Sequence, residues 1–202
     1  MVDQAAATTA GFKTVFEVGA QCADQLRLIE ADFQEAIAPA AADGFAFGRI
    51  QAAATGVPDG TLVRIIPGFG LQETARPHVM VLTLTEAVRQ ALNQPFANAA
   101  FWDKADEALR GAFLGLGDQV GAPHFLPRPA ADTAEPAETS YDYNLLFALQ
   151  DEETEGQLYV IAFCIHVTLG RTLDEVLNLT PDDVSRCTLR LDAFSVRQAV
   201  VS

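Results

Sequence analysis

The spacing of hydrophobic positions along the chain changes near residue 140. Upstream of that point, apolar residues recur every three or four positions, which is the spacing of one face of a helix. Downstream, apolar and polar residues alternate, which is the spacing of a β-strand. The order of the two patterns predicts helices in the first two thirds of the chain and a sheet in the last third.

The first helical pattern predicts a helical hairpin. One face of its first helix carries Val15, Val18, Cys22, Leu26, Ile29, Phe33 and Ile37. Pro39 ends this helix, because proline removes a backbone donor and clashes with the preceding turn. A shorter second helix, which Gly56 and Pro58 stop, has its apolar face at Phe45, Phe47, Ile50 and Ala53.

A short strand and a second helical hairpin follow. The stretch GTLVRIIPGFG predicts a strand that starts at Gly60 and ends in a turn at Pro67 and Gly68. The stretch from residue 79 to 94 predicts a strand that becomes helical near Thr85. The next helix is expected to have Asn98 as its N-cap, and its apolar face carries Phe101, Trp102, Ala105, Leu109, Phe113 and Leu116.

The region from Gly117 to Thr139 holds four of the ten prolines and predicts an extended connection, mobile at its middle. Beyond it, strands are predicted over 142–150, 157–169 and 185–196. The stretch TLDEVLNLT between the last two strands fits two structures. Thr172 and Glu175 could form the capping box of a short helix, whereas its aliphatic residues could lie in a strand.

These elements predict the α+β class, as one domain over residues 1–202 with a flexible amino terminus over residues 1–12. The central sheet is expected to be antiparallel, with one helical hairpin covering each face, which gives three layers.

The two longest strands are unusual in length and composition. At about 3.3 Å per residue, residues 157–169 extend roughly 40 Å, beyond a hydrocarbon core of about 30 Å. We expect one face of the last three strands to be the candidate membrane-inserting surface, made of Tyr143, Leu145, Phe147, Leu149, Tyr159, Ile161, Phe163, Ile165, Val167, Leu189 and Leu191. The opposite face of residues 157–169 becomes smaller and more polar toward His166 and Thr168. A strand packed between two helical layers has the same pattern, so the pattern alone leaves both interpretations open.

The turn between these strands, named the acidic turn below, carries Asp151, Glu152, Glu153 and Glu155. It adds to a formal net charge of -14, with 13 basic residues spread along the chain. A nucleic-acid partner is therefore not expected, because phosphate binding needs clustered Lys and Arg. The same charge disfavours anionic lipids, so a membrane partner would present neutral, zwitterionic headgroups.

Candidate chemistry is sparse. Cys22, Cys164 and Cys187 have no CxxC spacing and are expected to be buried and free of disulfides and metal. His166 is expected to be a packed, hydrogen-bonded histidine. The sequence shows no nucleophile and base at a recognisable spacing, so neither a catalysed reaction nor a cofactor is expected. The amino terminus has neither the positive start nor the apolar core of a signal peptide.

The stretch YDYNLLFALQDEETEG followed by LYVIAFCIHV resembles the carboxy-terminal region of the cytolytic delta-endotoxins, the Cyt family of insecticidal crystal toxins. The positions that carry the resemblance are Tyr143, Asn144, Leu145, Leu146, Phe147, Ala148, Leu149, Gln150, Asp151, Glu152, Glu153, Thr154 and Gly156. The resemblance implies a single domain with helical hairpins on a central sheet. It also implies direct phospholipid binding, detachment of the hairpins, and permeabilisation by oligomeric pores or detergent-like disruption.

On this interpretation the protein is made in the cytoplasm and acts, after release, at target-cell membranes. Two alternatives stay open. One is a non-lytic protein or virulence factor of the same fold that holds a lipid or fatty acyl chain, bound or linked to a cysteine. The other is an unrecognised hydrolase.

Overall fold

The computed structural model describes residues 9–38, 47–92, 98–128, 137–150 and 156–200. The strands are β1 Lys13–Glu17, β2 Gly60–Ala75, β3 Phe125–Arg128, β4 Thr139–Gln150, β5 Gln157–Leu169 and β6 Ser185–Ala199. The helices are α1 Ala23–Ile37, α2 Phe47–Gly56, α3 Pro77–Leu92, α4 Ala99–Gly111 and α5 Leu173–Leu177. Short 3₁₀ turns lie at Ala20–Cys22 and Leu116–Gln119.

All six strands join in one sheet with the order β1-β4-β5-β6-β2, and β3 also pairs with β4. Strands β4, β5 and β6 form an antiparallel meander in which Leu145 lies opposite Phe163, and Phe163 opposite Ala193. The three strands predicted in this region are confirmed. The predicted antiparallel central sheet is confirmed, and the edge strand β1 adds one parallel pairing, to β4.

Helical layers cover both faces of the sheet. Helices α3 and α4 pack on the face that carries Phe163, and α1 and α2 pack on the face that carries Ala162. Alternate residues of each central strand therefore belong to two separate cores. The predicted single domain of three layers is confirmed.

The first helix begins later than its apolar spacing suggested. Val15 lies in strand β1, opposite Phe147 of β4, and α1 begins only at Ala23. Val15 matched the helical spacing only by coincidence. Its conformation is set by its pairing with Phe147, which lies more than 130 residues away along the chain. The predicted second helix is confirmed as α2; Pro39 and Phe45 lie outside the described residues.

The predicted short strand at Gly60 is in fact 16 residues long and continues through Pro67. In place of the predicted turn, the register of β2 against β6 shifts between Ile66 and Phe69, which is a β-bulge. Gly68 has a φ of 60°, and its N–H donates to a carboxylate oxygen of Asp192 at 2.8 Å. The bulge accommodates Pro67 in an edge strand, where a missing N–H is tolerated.

Residues 79–84 are helical, so the strand predicted at the start of this segment was wrong. Helix α3 begins at Pro77, a residue that favours the first helical position because its φ is already helical. The predicted cap of α4 is confirmed, since the side chain of Asn98 accepts a hydrogen bond from Phe101 N at 2.9 Å. The ambiguous stretch before β6 is helical, and Thr172 and Glu175 form the predicted capping box of α5.

The region from Gly117 to Thr139 contains structure that the sequence did not predict. It includes the short edge strand β3, which pairs with residues 140–143 of β4. Residues 129–136, toward the expected mobile middle, lie outside the described ranges. At the amino terminus, Gly11 N donates to Pro123 O at 2.7 Å and Gln34 Nε2 donates to Ala10 O at 2.9 Å. These contacts tie residues 10 and 11 of the expected flexible end to the rest of the domain.

Candidate functional site

The structure brings the predicted surface residues together on one face of the sheet. All of them belong to a single buried cluster: Tyr143, Leu145, Phe147, Leu149, Tyr159, Ile161, Phe163, Ile165, Val167, Leu189 and Leu191. None is more than 3% exposed. We call this set the apolar face. Its 11 side chains come from three adjacent strands, so the meander presents them as one continuous surface.

Sequence reasoning missed members of the same surface. Tyr141 precedes Tyr143 by one step of the alternation, and Ala193 lies beside Phe163; both are buried in the same cluster. Leu169, which the alternation of β5 placed on this face, is buried there too. The alternation of β4 extends without interruption to Tyr141, so it could have identified that residue. Ser195 lies opposite Ile161, and its Oγ is buried with no hydrogen-bond partner among the residues that the structure describes. Nothing in the sequence predicted a polar residue at this buried position.

The apolar face is covered by the hairpin of α3 and α4. Phe101 of α4 stands edge-on to Phe147 with ring centroids 6.0 Å apart, and Phe147 stands edge-on to Phe163 at 5.7 Å. The cover contributes the buried residues Met80, Val81, Leu84, Ala87, Val88, Ala91, Leu92, Ala105, Ala108 and Leu109. The contact is therefore made largely of apolar side chains, which have no directional requirement and are satisfied equally well by another apolar surface.

Polar contacts fasten the carboxyl-terminal end of α4 to strand β4. Tyr141 Oη donates to the carbonyl oxygen of Ala112 at 2.9 Å, and Tyr143 Oη donates to Gln119 Oε1 at 2.7 Å. Burial raises the pKa of both phenols well above the ordinary value of 10, so both remain donors. At the middle of α4, Lys104 forms an ion pair with Glu17 of β1.

The opposite face of the sheet is apolar at one end and polar at the other. Under α1 and α2 it is apolar, and Phe47 packs on Phe194 with ring centroids 4.7 Å apart. Toward the other end, Asp142 accepts hydrogen bonds from Arg128 Nε at 3.0 Å and lies 2.8 Å from His166 Nδ1. His166 is therefore hydrogen-bonded and half-buried, as predicted.

The three cysteines are free and buried, as predicted. Burial raises the pKa of the Cys22 and Cys164 thiols and raises that of Cys187 to about 12. Because the thiolate is the reactive form, these thiols are poorly suited to attachment of a lipid. Within the described ranges, no group of three or more His, Cys, Asp or Glu is placed to hold a metal ion.

A cavity of about 340 Å³ lies between α1 and α2 and opens to solvent. Its lining includes Asp32, Glu35 and Arg49. It does not lie between a helical layer and the sheet, where the acyl-binding alternative would need space. The charged lining is unsuited to a fatty acyl chain.

The acidic turn, with Asp151, Glu152, Glu153 and Glu155, lies outside the described residues. Gly156 and Gln157 resume the described chain at the start of β5. In the part of the chain that the structure describes, no helix combines the length and apolar character needed to cross a membrane.

Comparisons with known proteins agree with the fold. Residues 1–202 match the family described as Bacillus thuringiensis toxin. The type-2Aa cytolytic delta-endotoxin of Bacillus thuringiensis subsp. kyushuensis is 27% identical over 191 residues, which cover 95% of this chain and 72% of that protein. The type-2Ba cytolytic delta-endotoxin of subsp. israelensis is also 27% identical, over 95% of this chain and 71% of its own length.

Solved structures give the same result. The crystal structure of the activated Cyt2Ba monomer from subsp. israelensis superposes with a TM-score of 0.87 at 26% identity, and the match covers 96% of this chain and 100% of that one. A second delta-endotoxin structure gives a TM-score of 0.86 at 27% identity, over 95% of this chain and 82% of its own. The chain therefore belongs to the Bacillus thuringiensis toxin family, among the cytolytic delta-endotoxins, which are non-enzymatic toxins.

Proposed function

We propose that this protein permeabilises membranes by exposing its apolar face to lipid after the hairpin of α3 and α4 leaves the sheet. The observation that carries this proposal is the apolar face itself. Three strands of 12, 13 and 15 residues present one surface of large, almost fully buried apolar side chains under a cover made mainly by two helices. The similarity to cytolytic delta-endotoxins supports a lytic activity.

Permeabilisation by this route exchanges one apolar cover of the sheet for another. Burial of a large apolar side chain contributes about 1.5 to 3 kcal/mol, whether helices or lipid tails remove it from water. Moving the apolar face from α3 and α4 into hydrocarbon is therefore nearly neutral in this term. The released hairpin keeps its own buried residues out of water by lying at the bilayer interface, where amphipathic helices bind.

The partners follow from charge and from unpaired strand edges. A formal net charge of -14 opposes binding to anionic lipids, so zwitterionic phospholipids are the proposed target. Strand β2 pairs with β6 on one side and ends the sheet on the other. Because unpaired backbone groups are costly in hydrocarbon, inserted sheets must join edge to edge, which predicts self-oligomers on the membrane. The site of action proposed is the target-cell membrane, after release of the protein.

Dye release from liposomes tests the proposal. Protein at micromolar concentration is added to phosphatidylcholine vesicles that contain a self-quenched dye, with and without prior protease treatment. We expect release from zwitterionic vesicles, and less release when anionic lipid is added. If neither the intact nor the protease-treated protein released dye from any vesicle composition, the proposed function would be wrong.

A further inference from the structure

A compact polar cluster joins the end of α4 to the sheet, and the proposed permeabilisation does not use its hydrogen bonds. The cluster consists of His124, Tyr143, Gln119 and the carbonyl oxygen of Gly111, with Lys13 beside it. We call it the α4 latch. Its members come from the residues before β3, from β4, from the turn after α4 and from α4 itself.

The side-chain amide of Gln119 is the centre of the latch. Its Nε2 donates to the carbonyl oxygens of Gly111 at 2.9 Å and Gly115 at 3.3 Å. Its Oε1 accepts from Tyr143 Oη at 2.7 Å and lies 3.0 Å from His124 Nε2. Two carbonyl oxygens on one side fix the NH₂ group there, so Oε1 must face the tyrosine and the histidine.

The orientation of the amide also fixes the tautomer of the histidine. Because Gln119 Oε1 is an acceptor, His124 Nε2 must carry the proton and donate. The ring also stands edge-on to Tyr143 with centroids 5.1 Å apart. In the neutral ring Nδ1 is then the basic nitrogen, and an additional proton would have to bind there.

The surroundings oppose that proton. The His124 ring is partly withdrawn from water, and Lys13 of β1 acts on it as a positive charge. A Cβ atom placed on Gly111 would lie 3.2 Å from Tyr143 Oη and 3.3 Å from Lys13 Nζ, so the ammonium group lies at the edge of the latch. Tyr143 is the titratable side chain facing His124 from β4, while α4 and the turn after it present the carbonyl of Gly111 and the neutral Gln119.

We propose that the α4 latch is an acid-sensitive switch, in which protonation of His124 beside Lys13 loosens the end of α4 from strand β4. In the closed state, burial first and Lys13 second lower the pKa of His124 below its ordinary value of 6.5. In the opened state the ring is solvated and regains that value. The latch therefore keeps its full strength above about pH 6.5 and loses it as the pH falls from 6.5 toward the lowered pKa.

The magnitude follows from the ordinary pKa alone. At pH 5.5, one unit below this pKa, a solvated His124 ring is protonated about ten times as often as it is uncharged. Opening of the latch therefore increases by up to about tenfold relative to neutral pH. Acid would thus favour release of the end of the hairpin that the two tyrosines fasten. This inference concerns the protein in solution; through the hairpin it also bears on the proposed permeabilisation.

The first measurement is an NMR titration of the three histidines, assigned by substitution of each in turn. We expect the His124 midpoint to lie below 6.5 and to move upward in Lys13→Met, because one of its two causes is removed. A midpoint at or above 6.5 in the parent protein would overturn the proposal.

The second measurement is hydrogen exchange at pH 7.5 and 5.5, corrected for the intrinsic rate. The reporters are the amides of Ala112, Phe113 and Leu114, which donate to carbonyl oxygens of the last turn of α4. In the parent we expect faster opening at pH 5.5. His124→Gln, which keeps an amide donor but no titration, should show no such change.

His166→Gln serves as the matched control, because His166 lies on the opposite face of the sheet, and it should respond to acid like the parent. If His124→Gln does not fold, Lys13→Met replaces it and should show a smaller acid response than the parent. Equal acid responses in the parent and in the folded latch variants would refute the switch. No membrane is present, so failure of dye release would refute the proposed function and leave this result standing.

Discussion

A covalent tether between α4 and the edge of the sheet would test hairpin release directly. The chain has two lysines, Lys13 and Lys104, and Lys104 of α4 forms its ion pair with Glu17 of β1. Both partners are accessible to a reagent, with 52% and 30% of their side chains exposed. A zero-length carbodiimide reaction joins such a pair as an amide. We expect this crosslink to abolish dye release.

The size of the effect follows from what the tether adds to release. In crosslinked protein, α4 leaves the sheet only if β1 leaves with it, and β1 pairs with residues 145–149 of β4 at five positions. Breaking roughly four ladder hydrogen bonds costs about 1 kcal/mol each. Exposing Val15 adds about 1.5 to 3 kcal/mol. The sum of about 6 kcal/mol corresponds to slowing by more than about ten-thousandfold if release limits the rate.

The assay compares leakage rates of crosslinked and untreated protein at equal membrane binding. Peptide mass spectrometry confirms the bond between residues 17 and 104. Lys104→Arg is the matched control, because arginine keeps the ion pair but forms no amide under these conditions. The carbodiimide modifies exposed carboxylates in the Lys104→Arg control as well. Any loss of leakage caused by the tether therefore appears as a difference in rate between the crosslinked protein and this treated control.

Leakage of the crosslinked protein at the rate of the treated Lys104→Arg control would refute release of α4 as a step in permeabilisation. The apolar face would then have to reach lipid in another way, or a different surface would be responsible. Loss of leakage in both treated proteins would instead trace the effect to the carboxylates.

Three further predictions concern the cap, the apolar face and the acidic turn. Asn98→Ala removes the N-cap of α4 and should lower the free energy of unfolding by about 1 kcal/mol. Calorimetry should show this as a fall in Tm of roughly 2 to 4 °C. A substitution beyond the reach of Phe101 N should leave Tm unchanged. Ile161→Asp places a carboxylate under the helical cover and should yield insoluble or unfolded protein. His166→Gln, on the opposite face, should fold and keep dye release. Equal loss of dye release in the two variants, both correctly folded, would contradict the assignment of faces. Replacing all four carboxylates of the acidic turn with Asn or Gln should speed leakage at neutral pH if the turn crosses the bilayer, because ionised groups are costly in hydrocarbon. Unchanged or slower leakage at matched binding would exclude crossing.

The central meander was predictable because its information is local. The two faces of strands β4 and β5 alternate without interruption, and most of the apolar face contributed by these two strands was predicted from that alternation. The same holds for the caps at Asn98 and Thr172, where the signal lies within four residues of the structure it specifies. The face that each strand turns toward α3 and α4 therefore followed from sequence, although the identity of the cover did not.

The errors occurred where distant partners decide the structure. Val15 is in a strand because β4 offers it a pairing edge, and no spacing within residues 13–17 reveals that edge. Pro67 and Gly68 form a bulge because Asp192, far along the chain, accepts the N–H of Gly68. Residues 79–84 have the aliphatic and β-branched composition of a strand, and packing on the apolar face makes them helical despite it. The α4 latch was missed for the same reason, because Gln119, His124 and Tyr143 meet only after folding.

The chain order of the layers has a consequence for synthesis. Both helical hairpins precede the meander, so a ribosome completes each cover before it releases the strands that require one. Strand β2, in contrast, is synthesised early and must wait for its partner β6. The two strands pair along their whole length, from Gly60 opposite Gln198 to Ala75 opposite Ser185. Such distant pairing is slow to form, and until it does the side of β6 that β2 will occupy is exposed to other chains. Aggregation during production should therefore depend on how fast β2 and β6 meet. A circularly permuted chain that begins at α3 shortens the separation between β6 and β2 along the chain and should refold faster.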